Sequence, residues 1–235
     1  MTRSAILLVL ALVGWCFPAL AVEVYVVEAK GLDLAPGQVL DGGKPISLAL
    51  GQKLVLVTSD GRTIKLKGPS EAAPAAEVQA GGADMAKSLK GLVAARAADT
   101  TSAGVVRSNA EKRPPLPEPW LVDVRHGGNH CLLSDAETVL WRGTERRGDE
   151  EIEISPADRS WLAKAPWPGN SDRLALPPSL KLQDGKAYKV ILGKAPVAIT
   201  IHAVPAGLGT DAALVAWMLE LGCETQAQAL AVGGR

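Results

Sequence analysis

Beyond residue 21 the sequence never sustains one hydrophobic period for long. Runs of a few β-branched residues are cut by glycine, proline or Asp-Gly, a rhythm that predicts short strands joined by turns. In the first segment these runs are Glu23 to Ala29, Ile46 to Leu50, Lys53 to Thr58 and Arg62 to Lys67. Ser59-Asp60-Gly61 separates the last two and predicts a hairpin, because Asp-Gly supplies the positive φ angles that tight turns require. Alternation sends Leu54, Leu56 and Thr58 to one side and Val55 and Val57 to the other, so the first hairpin strand is expected to be buried on both faces. Its partner alternates Ile64 and Leu66 with Thr63, Lys65 and Lys67, the pattern of a half-exposed strand.

Strand signals return at Trp120 to Arg125, Cys131 to Leu133, Thr138 to Arg142, Glu151 to Ile154, Arg173 to Leu176, Ala187 to Leu192 and Val197 to Ala203, which suits a sandwich or a small barrel. A helix is expected from Asp211 to Leu221, capped by Thr210 or Asp211, with Leu214, Trp217, Met218 and Leu221 on one face and Gly222 ending it. The fold class is therefore mainly β, with residues 22–70 as a small β module of hairpins and residues 120–235 as a sandwich-like β domain closed by a C-terminal helix. Residues 71–119 shift to Ala, Gly, Ser and Pro and read as a linker, with one short helix over 84–96 on the spacing of Met85, Leu89, Leu92 and Val93. Every tryptophan beyond the leader lies from Trp120 onward, so the two halves are expected to build different cores, as two domains would.

Residues 1–21 read as a signal peptide: Arg3, the apolar run Ala5 to Val13, the Pro18 break and Ala19-Leu20-Ala21. The apolar stretch is shorter than the roughly 20 residues a spanning helix needs, so cleavage before Val22 is expected, with no membrane span afterwards. Trp15 in front of Cys16 argues against acylation there. The expected location is periplasmic or secreted. In such an oxidising compartment the remaining cysteines, Cys131 and Cys223, are expected to pair and to tie the C-terminal helix to the sheet. The alternative is two buried thiols.

A formal net charge of zero gives no field to draw in nucleic acid, and that partner is excluded from the expectation. His126-Gly-Gly-Asn-His130-Cys131 offers two imidazoles and a thiolate, ligand types suited to zinc or copper. The same stretch also reads as an exposed turn with two solvated histidines beside a disulfide. The sequence carries no G-x-S-x-G elbow and no glycine-rich phosphate loop between a strand and a helix. Asp149, Glu150, Glu151 and Glu153 lack the spacing of a calcium loop and read as solvated turn charge. The chain is therefore expected not to be an enzyme and to hold no cofactor. Trp161 and Trp167 flank a loop-like segment, where an exposed pair would stack on a sugar or peptide. Because the only phenylalanine, Phe17, lies in the leader, tryptophan must also serve as the large core filler.

The stretch from Gly43 to Pro69, with its apolar pair, glycine, apolar strand, Asp-Gly turn and second strand, resembles the extracytoplasmic β module of FecR-like proteins. The Trp-x-x-Asp opening at Trp120 and the Trp-Met-x-x-x-Gly-Cys close at Trp217 resemble exported proteins of proteobacteria. These resemblances imply a bacterial envelope protein. The role expected is a noncatalytic binding or scaffolding module whose partner is an envelope protein or a cell-wall component. The alternatives are a FecR-like signal-receiving periplasmic protein and a metal-binding protein using His126, His130 and Cys131.

Overall fold

The computed structural model describes residues 22–81, 116–145, 148–193 and 195–233. The expected leader 1–21 and the helix expected over 84–96 lie outside the described residues.

The first segment contains β1 (Glu23–Lys30), β2 (Val39–Asp41), β3 (Ile46–Leu48), β4 (Lys53–Thr58), β5 (Thr63–Lys67), β6 (Ser70–Ala72) and helix α1 (Pro74–Gly81). Four strands form an antiparallel sheet in the order β2, β1, β4, β5, and β3 pairs with β6. The Asp-Gly turn forms as read: Gly61 has φ +84°, and the Thr58 amide donates to the Arg62 carbonyl at 2.9 Å. β4 is buried on both faces because each face belongs to a different core. Leu54 and Leu56 pack with Val24, Val26, Ile64 and Leu66, whereas Val55 and Val57 join Tyr25 and Val27 against the C-terminal helices.

The ordered module continues past residue 70, into the stretch read as linker. Ser70–Ala72 pairs with β3 from Leu48↔Ser70 to Ile46↔Ala72, and the Ala75 amide donates to the Gly42 carbonyl at 2.8 Å. Ser-Glu-Ala carries no β-branched signal, so tertiary pairing and not propensity makes this strand.

The second segment contributes β7 (Leu121–Asp123), β8 (Gly128–Leu133), β9 (Val139–Trp141), β10 (Glu150–Pro156), β11 (Ala163–Trp167), β12 (Arg173–Ala175), β13 (Ala187–Leu192) and β14 (Ala195–Val204). They form a five-stranded sheet ordered β11, β10, β13, β14, β8 and a three-stranded sheet ordered β12, β9, β7. The β8/β14 and β7/β9 pairs are parallel. Val122 and Leu140 from the smaller sheet pack against Ile152, Ile154, Val190, Ile199 and Ile201 from the larger one, which is the sandwich-like core. β11 occupies the segment read as loop-like. It carries Pro166, which a sheet tolerates at its edge, where β11 lies.

The chain closes with α2 (Asp211–Glu220) and α3 (Glu224–Gly233). Of the two caps considered, Thr210 is the one used: its Oγ1 accepts from the Ala213 amide at 3.2 Å. The same hydroxyl donates to the Ser59 carbonyl, and Lys65 pairs with Glu220 at 2.8 Å. A side chain at Gly61 would meet the Ala212 carbonyl at 2.7 Å, so the hairpin turn sits hard against α2. The helix expected to close the second segment thus also packs on the first, and one hydrophobic cluster draws on both.

The free edge of β8 is covered from α3. Buried Gln226 accepts from the Cys131 amide at 2.6 Å and donates to the Cys131 carbonyl at 2.7 Å, standing in for a neighbouring strand. The Cys131–Cys223 disulfide, with 6.0 Å between Cα atoms, pins the start of that helix to the same residue. Among the described residues no helix is long and apolar enough to cross a membrane.

Candidate functional site

The histidine motif does not assemble a ligand set. Cys131 is oxidised in the disulfide, so it offers no thiolate. Successive strand residues point to opposite faces. His130, only 4% exposed, therefore lies on the side of Leu132, away from Cys131. His126 Nδ1 lies 2.8 Å from Oδ2 of buried Asp123. Among the described residues no group of three or more His, Cys, Asp or Glu side chains gathers for a metal. Nor, among them, is a serine, threonine or cysteine hydrogen-bonded to the His126 ring.

Asp123 is instead the anchor of a buried corner. Arg125 donates to it through Nε and Nη2, each at 2.9 Å, and lays its guanidinium 4.1 Å from the centre of the Trp141 ring. Burial alone would raise the Asp123 pKa. Hydrogen bonds from Arg125 and His126 outweigh that and hold it below the ordinary carboxylate value.

Trp167 is fully buried, so of the two readings of the Trp161/Trp167 pair it takes the core-filling one and is no ligand platform. Strand parity in β11 places Trp167 on the inner side with Ala163 and Ala165, and it enters the core that phenylalanine would otherwise fill. Its Nε1 donates to the Ser171 carbonyl at 3.0 Å. Arg142, also fully buried, sits 5.1 Å from the ring centre. Its guanidinium donates to the carbonyls of Ser171 (3.0 Å), Gly148 (3.0 Å) and Pro168 (2.7 Å) and to Glu150 Oε2 (3.2 Å).

Trp161 has a different setting. One side of the ring leans on the core, 5.9 Å from the Tyr188 ring, and the other lines an open groove of about 320 Å³ on the outside of the larger sheet. That volume lies near the lower bound of small-ligand sites. Outward residues of β10 and β13 form its floor, because Glu153 pairs across with Ile191 and Ser155 with Lys189. Arg159 and Leu162, the latter 58% exposed, complete the rim. Glu153 already receives a hydrogen bond from Lys164, whose ammonium pKa is raised by that contact. Arg159 and Lys189 form a salt bridge with no described residue.

Arg159 is also the one non-glycine among the described residues with positive φ, at 56°. Its amide donates to the Pro156 carbonyl at 2.9 Å, and Asp158 accepts from the Ser160 amide at 3.0 Å, so the turn is held on both sides. Non-glycine residues in this region cost energy, and such strain collects at binding sites. The sequence signals Trp161 only. Arg159 joins it from the turn that follows β10, and Lys189 joins it through the β10/β13 register, which no local spacing encodes.

A second cleft of about 510 Å³ lies where β8 and β14 end against α2, lined chiefly by Trp120, Leu133, Val204, Leu208 and Leu214. It is more apolar, and its one ionisable lining residue is Asp135. No protein-family model matches the chain, and no curated protein or solved structure matches it.

Proposed function

We propose that this chain is a noncatalytic exported protein of the bacterial envelope, a binding module whose ligand surface is the Trp161 groove and whose ligand is a cell-wall component. The observation that carries the reading is the aromatic wall of Trp161 beside two cations, Arg159 and Lys189, that no described carboxylate engages. An aromatic face with polar groups at its rim is the chemistry that grips sugar rings in water. The Cys131–Cys223 bridge suits an oxidising compartment such as the periplasm.

Co-sedimentation of the purified chain with isolated cell-wall sacculi tests the proposal. Trp161→Ala is expected to weaken retention by about tenfold, the equivalent of about 1.4 kcal/mol of contact. Its stability should change by less than about 1 kcal/mol, since a half-exposed ring at the core edge is lost. Equal retention of the variant and the parent chain would remove the groove from the function.

A further inference from the structure

We infer that the groove selects acidic saccharides, an inference that rests on the groove being the ligand surface. Three features of the site converge on that class. The first is geometry. The floor is the face of a sheet whose amides and carbonyls are consumed in the β10/β11 and β10/β13 ladders, so an extended peptide finds no main-chain partners there. Recognition must come from side chains, and the broadest of these is an indole face, suited to the apolar side of a sugar ring.

The second feature is charge. Glu153, the one carboxylate in the lining, is paired with Lys164, which it shares with Glu151 outside the groove. Arg159 and Lys189 therefore leave the groove with a positive excess. A neutral sugar would engage the indole alone. A sugar bearing a carboxylate would in addition meet a guanidinium, whose fork fits a carboxylate with two parallel hydrogen bonds, and an ammonium.

The third is the cost the fold accepts to keep Arg159 where it is. A left-handed turn position ordinarily goes to glycine, asparagine or aspartate. Here an arginine occupies it, exposed, with its backbone held by Pro156 and its neighbours by Asp158. A side chain with no described ion pair gives the fold little in return for that backbone, whereas a ligand carboxylate gives the guanidinium a use.

Titration calorimetry on the full chain, with a short oligogalacturonate, its fully methyl-esterified form and a polyglutamate peptide of matched charge, tests this. The acidic saccharide should bind. The ester, which keeps the ring and loses the charge, should bind about tenfold more weakly. Rising salt should narrow that gap. The double variant R159Q/K189Q should bind acid and ester alike, and Trp161→Ala should bind both about tenfold more weakly. Matching affinities of the parent chain for acid and ester would overturn the inference, as would polyglutamate binding that survives Trp161→Ala. If sacculi are retained in a Trp161-dependent manner while both saccharides fail to bind, the acidic-saccharide inference falls and the binding-module reading stands. If sacculi are not retained either, both fall. Thermal melts of each variant show whether a loss of binding comes from the groove or from unfolding.

Discussion

Trp141, Trp167 and Trp161 each lie near an arginine, yet the interior corners and the surface groove use that cation differently. Arg125 over Trp141 is held by Asp123, and Arg142 over Trp167 is held by Glu150 and three carbonyls. Arg159 beside Trp161 has no carboxylate among the described residues and stays exposed. A buried guanidinium loses its water and persists only if its donors are matched, so the interior arginines are committed to structure. An exposed one keeps its hydration until a ligand replaces it. The interior pairs join residues far apart in sequence, whereas Arg159 and Trp161 are near neighbours, and what separates the three arginines is whether acceptors close around the guanidinium.

The sharpest way to break this comparison is Arg142→Met. The variant keeps apolar bulk over Trp167 but removes the charged donor from the carbonyls of Ser171, Gly148 and Pro168 and from partly exposed Glu150. Unfolding free energy by urea titration is expected to fall by about 3 kcal/mol, since three carbonyls each lose a charged donor worth about 1 kcal/mol. A loss below about 1 kcal/mol would mean that the corner relaxes and that burial does not distinguish Arg142 from Arg159.

Asp123 gives a smaller effect with a pH signature. Its folded pKa lies below the unfolded value, so its ionised form stabilises the fold. That contribution is fully present above the unfolded value near 3.8 and is lost as pH falls through the lower folded value. Asp123→Asn should cost about 1.5 to 3 kcal/mol at neutral pH, the worth of charged hydrogen bonds, and should flatten the acid limb of the stability curve. An unchanged acid limb would show that Arg125 over Trp141 is as loosely held as the groove cations.

Much of the scaffold was legible because it rests on local signals. The Asp-Gly hairpin, the two-sided burial of β4, the Thr210 helix start and the Cys131 and Cys223 partners all follow from turn chemistry, alternation, capping and oxidation. What escaped depends on pairing at a distance. β6 and β11 lack β-branched residues and exist because β3 and β10 offer them ladders. Spacing groups Trp167 with Trp161, and only the strand parity of β11 separates the buried ring from the partly exposed one. His130 and Cys131, adjacent in sequence, are parted by the same alternation. Of the groove, only Trp161 stands out in the sequence, since Lys189 reaches it through register and the left-handed turn that places Arg159 carries no turn-residue signal.

The finest test of the comparison is Arg159→Gly, where structure and binding should move in opposite directions. A left-handed backbone costs an L-residue about 1 to 2 kcal/mol, and glycine is relieved of it at the expense of a more flexible unfolded chain. Because the guanidinium has no described ion pair to lose, stability should rise by up to about 1 kcal/mol. Retention on sacculi should fall at the same time, read by the same co-sedimentation. A variant that loses stability would place Arg159 with Arg142, as a cation the fold needs for itself. A variant that gains stability and binds as before would mean that the turn holds its strained arginine for something other than the groove. Only a gain in one and a loss in the other matches a side chain kept at a backbone cost for a ligand outside the fold.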